Sequence, residues 1–424
     1  PAVAVDLAVG YEGVPQLAAP ARHHVGPPTL PSTASATAAG SGPILIAGNS
    51  RIGGIAEHAH YQAQELARRG FEVVMLCHPD HLERPARRLY RVIHTPRWRS
   101  RPGLRGRIAM IAGMALDRYR LAFHVLRLRP RFVLWDSQTE YFAPLWAWPH
   151  LLLRRLGTIS LANFHDPVRL RHFGPLWLHR LSLFLLYRTL DGGLIHGAVP
   201  SEAGIPTRII LKEAPLGFFE EVHGEGQADQ RAHHGIPAGA PLVLAFGHIA
   251  DRKNLDLLIE GLAAVPGAHL LVAGSSNAAG QKQVSDYRAL AERLGVADRV
   301  HFDDRFISDE AISSYFAAAD IVALTYCRDF VSQSGVLQHA AAFRRPVLVS
   351  CGPGPLRQTM AQFALGELVE PDSAAAIADG LARMVAAPQD RGAAFDAYAA
   401  TASWSANVDR LLELEGAVRR ARGL

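Results

Sequence analysis

The stretch Pro43–Leu76, PILIAGNSRIGGIAEHAHYQAQELARRGFEVVML, decides the fold. An apolar run, PILIAG, meets a glycine-containing turn, then a segment with apolar residues at helical spacing, then a second apolar run, FEVVML. Strand, helix, strand is the reading, a βαβ unit with its strands in parallel. Strands that read as continuous apolar runs are buried on both faces, as in a sheet covered by helices on each side. Working outward, the pattern recurs at FVLWD (132–136), the helix-like run after Tyr141, TISLANFHD (158–166), GGLIHG (192–197) and RIILKEAP (208–215). A second series runs through PLVLAFG (241–247), HLLVAGSS (269–276), RVHFDD (299–304), DIVALTY (320–326) and PVLVSCG (346–352). Residues 220–240 between them are polar and glycine-containing without an apolar period, and read as a linker. The expected fold class is α/β, two Rossmann-like parallel-sheet domains facing across a cleft lined by strand-end loops, with boundaries at 43–222 and 223–403.

Composition agrees with two cores: 424 residues and 49% hydrophobic content exceed what one ordinary domain needs. Residues 1–42 are rich in Ala, Pro, Gly, Ser and Thr and read as a flexible tail. Cys77, Cys327 and Cys351 lack CxxC spacing, which argues against a disulfide framework or structural zinc and fits a reducing cytoplasm. The N-terminus lacks a signal-peptide layout, and apolar runs such as Tyr141–Leu153 are too short and interrupted to cross a bilayer. Net charge is +5, but fourteen arginines and one acid lie between Arg84 and Arg131. Interleaved with Trp98, Leu104, Ile108, Met110 and Leu116, this stretch suits an anionic membrane surface or nucleic acid, of which the membrane is the expected partner; a solvated arginine-rich face is the plainer alternative. No nucleic acid is expected.

Four loops after strands carry candidate chemistry. Gly48-Asn49-Ser50-Arg51-Ile52-Gly53-Gly54 opens a helix, where amide N–H groups favour an anion or sugar hydroxyl, although glycine also serves tight geometry there. Asn163-Phe164-His165-Asp166-Pro167 puts an imidazole and a carboxylate at a sheet's carboxyl edge, as a functional or a capping pair. His248, Arg252 and Lys253 lie within six residues at another strand end, where cations meet a diphosphate through charge-assisted hydrogen bonds. Ser332, Ser334, Gly335 and Val336 follow a further strand and start a helix whose amides would receive an anion.

In order and spacing these pieces, from residue 43 to 424, resemble glycosyltransferase family 4, a large retaining family of GT-B fold. GGIAEHAHYQAQELARRGFEV resembles its first glycine loop and helix, FHD its inter-domain histidine motif, and LAFGHIADRKNLDLLIEGL its phosphate motif. Ser403-Trp404 resembles the Ser-Trp before a terminal helix, here 404–424, that returns to the N-terminal domain. One signature is absent: the two glutamates of Glu-x7-Glu fall on Val331 and His339, or on Ser332 and Ala340 with a one-residue shift. His248 stands where the phosphate-motif arginine is expected.

The resemblance implies transfer of a hexose-like sugar from a UDP- or GDP-linked donor to a hydroxyl, with no metal and no other cofactor. His165, Asp166 and Lys253 are the expected catalytic residues. Gly53, Gly54, His248, Arg252, Lys253, Ser332, Ser334, Gly335, Val336 and His339 are expected around the donor, with Phe306 and Ile307 meeting the base through backbone groups. A lipid-linked saccharide acceptor in bacterial envelope polysaccharide synthesis is expected, with the protein peripheral at the inner face of the plasma membrane. The rivals are a GT-B scaffold without donor chemistry, favoured by the missing glutamates, and a sugar-nucleotide epimerase.

Overall fold

The computed structural model describes residues 42–48, 54–79, 81, 88–96, 103–137, 139–165, 174–199, 203–218, 229–276, 281–388 and 390–424. Its first half runs β1 (Ile44–Gly48), α1 (Gly54–Arg68), β2 (Val73–Cys77), β3 (Arg91–His94), α2 (Leu104–Leu128), β4 (Phe132–Trp135) and α3 (Ala143–Arg155). Then come β5 (Ser160–Phe164), α4 (Leu176–Thr189), β6 (Gly192–Ile195) and β7 (Ile210–Glu213). These seven strands form one all-parallel sheet in the order β3-β2-β1-β4-β5-β6-β7. Every residue of β1 is buried because the sheet is covered on both faces. Leu45 and Ala47 pack with Val74 and Leu76 on one side, and Ile44 and Ile46 with Val73 and Met75 on the other, the two-residue alternation of a strand.

The second half holds α5 (Gln230–His233), β8 (Leu242–Phe246), α6 (Leu255–Ala263), β9 (His269–Ala273), α7 (Val284–Arg293), β10 (Val300–Asp303), α8 (Asp309–Ala318) and β11 (Ile321–Thr325). It continues with α9 (Gly335–Ala342), β12 (Val347–Ser350), α10 (Pro355–Phe363), β13 (Gly366–Val369), α11 (Ala374–Ala386), α12 (Gly392–Thr401) and α13 (Trp404–Arg422). Its sheet has the order β10-β9-β8-β11-β12-β13, again parallel throughout. The order reverses between β8 and β11, so the loops that leave these two strands open a crevice at their carboxyl ends. The stretch expected to be only linker contains α5, started by Asp229, whose carboxylate accepts the Arg231 and Ala232 amides at 2.9 and 3.2 Å. The expected tail lies outside the described residues but for Gly42.

Helix α13 packs on α1, β6 and β7 of the first sheet. Val408, Leu411, Leu414 and Val418, at helical spacing, are buried in that sheet's core. At about 1.5–3 kcal/mol for each buried side chain, the helix is part of this core and no appendage. A polar relay sets its register: Asn163 Nδ2 donates to Gln62 Oε1 (3.0 Å), Gln62 Nε2 to Asn407 Oδ1 (2.8 Å), and Asn407 Nδ2 to the Pro215 carbonyl (2.8 Å). Trp404, at the helix start, stacks on Tyr61 and donates its indole N–H to the Phe218 carbonyl. Asn407→Ala orphans a Gln62 N–H and the Pro215 carbonyl in a dry core. It is expected to cost at least about 2 kcal/mol, read as a lower urea midpoint at unchanged slope.

Candidate active site

After β8 the chain turns at Gly247 (φ 84°), and residues Asp251–Lys253 form a single 3-10 turn. Asn254, at φ 47°, ends the turn and begins α6, held by its Nδ2 donating to Asp372 Oδ1 at 2.9 Å. This sends the Lys253 side chain back beneath the strand end, where Nζ donates to the Phe246 carbonyl at 2.7 Å. Ile249, Leu255, Leu258 and Tyr326 line the surrounding pocket. Burial there, with some help from the Arg252 charge, pushes the Lys253 amine down to about 7. The two nearest acids in sequence turn elsewhere: Asp251 accepts the Lys282 amide at 3.0 Å, and Asp256 pairs with Lys282 Nζ. Among the described residues, no carboxylate pairs with Lys253.

The loop after β11 is tied to this turn. Thr325 Oγ1 donates to the Lys253 carbonyl and the Cys327 amide to the Arg252 carbonyl, both at 2.9 Å. Tyr326 stacks on Phe330 at 3.8 Å, and the Arg252 guanidinium lies 5.8 Å from the Phe330 ring centre. Ser334, expected at the donor, is buried, with its hydroxyl 2.9 Å from Tyr326 Oη and its amide donating to Gln333 Oε1 at 3.0 Å. Both its groups are occupied in holding the loop, which leaves the Gly335 and Val336 amides as the open first turn of α9.

Gly247 shows how closely these parts converge. A Cβ there would lie 3.4 Å from Lys253 Nζ and 3.9 Å from Val336 Cγ2. The absence of a side chain leaves a space bounded by an ammonium and a helix N-terminus, a setting for an anion. His248 lies beside it with much of its side chain open to solvent, its pKa lowered by partial desolvation and then by Lys253 and Arg252. Ser332 is half-buried on the same loop. Phe306 is exposed, whereas the Ile307 side chain belongs to the core, so only backbone at Ile307 is available to a ligand.

Across the cleft, His165 follows β5 and His196 follows β6. His165 Nε2 lies 2.9 Å from the Asp136 carbonyl, His196 Nδ1 lies 3.1 Å from the Ala214 carbonyl, and His196 Nε2 lies 3.2 Å from His165 Nδ1. Carbonyl oxygens only accept, so each outer nitrogen is the donor in its contact, and the two rings are oriented by the backbone. His58, wholly buried and 4.7 Å from His165 between ring centres, is held neutral by burial and then by its two neighbours. Glu57 lies 3.9 Å from His339 Nε2, and both are buried. The Glu57 carboxylate thus reaches from α1 to His339 of α9, one of the positions on which the family's second glutamate falls. The His339 ring in turn lies 6.2 Å from that of Phe246, whose carbonyl holds Lys253. His58 and Glu57 are consecutive on α1, so this helix meets His165 through one residue and His339 through the next. Gly54 begins α1 close to Glu57, while Gly53 and Asp166 lie outside the described residues. Sequence reasoning missed Glu57, His196 and Gly247. His196 was visible as the one polar side chain in GGLIHG; no local signal marked Glu57.

Residues 226–402 match the family model described as glycosyl transferases group 1. The D-inositol 3-phosphate glycosyltransferase of Mycolicibacterium smegmatis is 32% identical over 199 residues, 46% of this chain and 45% of that one. The chain thus spans about half the length of the curated relatives it matches. Sucrose-phosphate synthase from Thermosynechococcus elongatus superposes over 90% of this chain and 100% of its own, with TM-score 0.66 and 20% identity. Anabaena Alr3699/HepE in complex with UDP and glucose superposes over 90% and 99%, with TM-score 0.64 and 18% identity. The fold is GT-B. In that architecture the two sheets present their carboxyl ends to one cleft.

Lys253 has a folded-state pKa below its unfolded value, so burying its charge costs stability fully below about pH 7. The cost declines as pH rises toward the unfolded pKa. Lys253→Met is therefore expected to raise the melting temperature of the ligand-free protein by a few degrees at neutral pH. The gain should shrink toward about pH 10, where the free amine is close to its unfolded pKa. A gain that does not change with pH contradicts the assignment.

Proposed function

We propose that this chain is a glycosyltransferase that moves a sugar from a nucleoside-diphosphate donor to an acceptor hydroxyl. The observation that carries the reading is the buried Lys253 amine, with no carboxylate partner among the described residues, beside the open first turn of α9. An anion with two phosphates satisfies both at once. In the reaction the acceptor oxygen replaces the diphosphate oxygen on the anomeric carbon. Charge grows on the departing diphosphate, where Lys253, Arg252, His248 and the Gly335 and Val336 amides are preorganised to receive it. These groups would do there what a metal ion does in other enzymes. The His165–His196 pair would face the sugar and acceptor, with Asp166 beside it in sequence. Phe306 and the Ile307 backbone would meet the base, and Ser332 and Gly53 the donor's polar groups. The match of residues 226–402 to a glycosyltransferase family supports the same reading. Retention of anomeric configuration is proposed on the family resemblance.

For the acceptor we propose a lipid-linked saccharide in bacterial envelope polysaccharide synthesis, met by a protein peripheral at the cytoplasmic face of the membrane. The basic stretch from Arg84 to Arg131 supports that position. A phosphorylated polyol, as the name of the Mycolicibacterium smegmatis relative suggests, is the acceptor to test beside it.

Thermal shift against UDP and GDP tests the donor. Ligand at 100 times its dissociation constant stabilises by about 2.7 kcal/mol. Lys253→Ala is expected to lower kcat/KM about ten- to a hundredfold, since a charge-assisted bond to phosphate contributes roughly 1.5–3 kcal/mol. Its ligand-free melting temperature should not fall comparably. Lys253→Arg should recover part of the loss. A protein with no response to any nucleotide is instead the non-catalytic scaffold to which the missing glutamates point.

A further inference from the structure

Three neighbouring helices carry an apolar surface that the active site does not use. On α2 the exposed residues Ile108, Leu116, Tyr119, Phe123 and Leu126 fall on one stripe at steps of three and four after residue 116. On α3 the exposed stripe is Leu145, Trp148 and Leu152, and on α4 it is Trp177, Leu181 and Phe184. Trp148 and Trp177 are 63% and 66% exposed, so these are open side chains and not the rim of a core. Helix α3 packs between the other two, and Tyr119 Oη donates to the Leu145 carbonyl at 2.9 Å, which joins the α2 stripe to the α3 stripe. The opposite faces of these helices fill the core through residues such as Leu121, Val125, Trp146, Leu153, Leu185 and Leu186. Their outer faces are apolar as well, which is unusual for helices in contact with water.

The charge on this layer has one sign. Helices α2, α3 and α4 carry nine arginines and a single acid, Asp117, which is paired with Arg120 at 3.0 Å. Counting arginines along the sequence alone misplaces the surface. Arg118 is buried over the rings of Trp135 and Trp146, its pKa pushed down to about 10 by burial, and Arg131 is paired with Glu415. The exposed Arg105, Arg127, Arg155, Arg180 and Arg188 are those that accompany the apolar stripes.

We propose that the outer face of α2, α3 and α4 is inserted into an anionic lipid bilayer, with Trp148 and Trp177 among the acyl-chain boundary and the exposed arginines on lipid phosphates. Lipid is the occupant to which the chemistry points. Apolar residues supply burial, tryptophan suits an interface that is apolar on one side and wet on the other, and arginine without acid matches a negative headgroup layer. The inference deepens the membrane-side reading proposed above and is independent of the donor site.

The test is sedimentation of the 424-residue chain with vesicles of phosphatidylglycerol and phosphatidylcholine, beside vesicles of phosphatidylcholine alone. The expected result is binding to the anionic vesicles, with a blue shift of tryptophan fluorescence. Part of this binding should persist at several tenths molar salt, where screening removes most of the surface attraction and leaves the apolar contribution. Trp148→Glu with Trp177→Glu should weaken binding by at least about tenfold while UDP thermal shifts stay as in the wild type. Arg155→Glu with Arg188→Glu should abolish the preference for anionic vesicles. If the tryptophan variant loses its melting transition, Leu152→Glu with Phe184→Glu is read in its place. Wild-type binding by the tryptophan variant, or no binding by the wild type, overturns the proposal. So does lipid-free self-association, by light scattering, that the tryptophan variant abolishes, which assigns the face to a second copy of the chain.

Discussion

Lys253 carries its amine into a pocket walled by Leu255, Leu258 and Tyr326, where burial disfavours the charged form and the Phe246 carbonyl offsets only part of the cost. The local structure is built around keeping it there. Asn254 accepts a left-handed conformation to reverse the chain, Thr325 and Cys327 hold the turn from the neighbouring strand, and Gly247 keeps clear the space above the nitrogen. Asp251 and Asp256, which would neutralise the amine, are engaged by Lys282. An arrangement that withholds a counter-ion from a buried cation is costly as architecture alone, and it makes sense where an anionic ligand completes it.

The sheet order explains why the parts of the site come from distant sequence. In the second sheet the reversal between β8 and β11 puts the Lys253 turn and the start of α9 at one crevice. In the first sheet His165 and His196 leave adjacent strands and so stand side by side. Among the described residues the two halves meet at the Glu57–His339 pair and at the close approach of Gly197 to Pro355, where a Cβ would come within 2.8 Å of the proline ring. Helix α13 starts at the Trp404 contact and inserts its apolar stripe into the first core, so the chain's end fastens the two halves by burial and the cleft contacts need not.

The strands with apolar runs, from PILIAG to PVLVS, were legible because burial on both faces leaves few polar positions. Arg91–His94 and Gly366–Val369 were not: they are edge strands, partly exposed, with sequences RVIH and GELV that lack such a run. Helix α2 was hidden by its arginines, which drew the reading toward charge and away from the stripe at 116, 119, 123 and 126. At the site, Lys253 and the Ser334 loop were legible because each follows a strand and precedes a helix. The occupation of Ser334 by Tyr326 and Gln333, and the pairing of Glu57 with His339 across the cleft, depend on tertiary contacts that no local spacing encodes. The GT-B fold followed from the run of strands and helices, whereas site chemistry needed the geometry between loops.

The central claim is that Lys253 is a desolvated cation kept for a diphosphate, and its own titration tests this most directly. In protein labelled at lysine Cε and Nζ, the Lys253 resonance, assigned by its absence in Lys253→Arg, would be followed through pH without and with UDP. The account predicts a pKa of about 7 in the free protein, rising by more than a unit when UDP binds. A value near that of an ordinary lysine in the free protein, or one that does not move on adding saturating UDP, contradicts it.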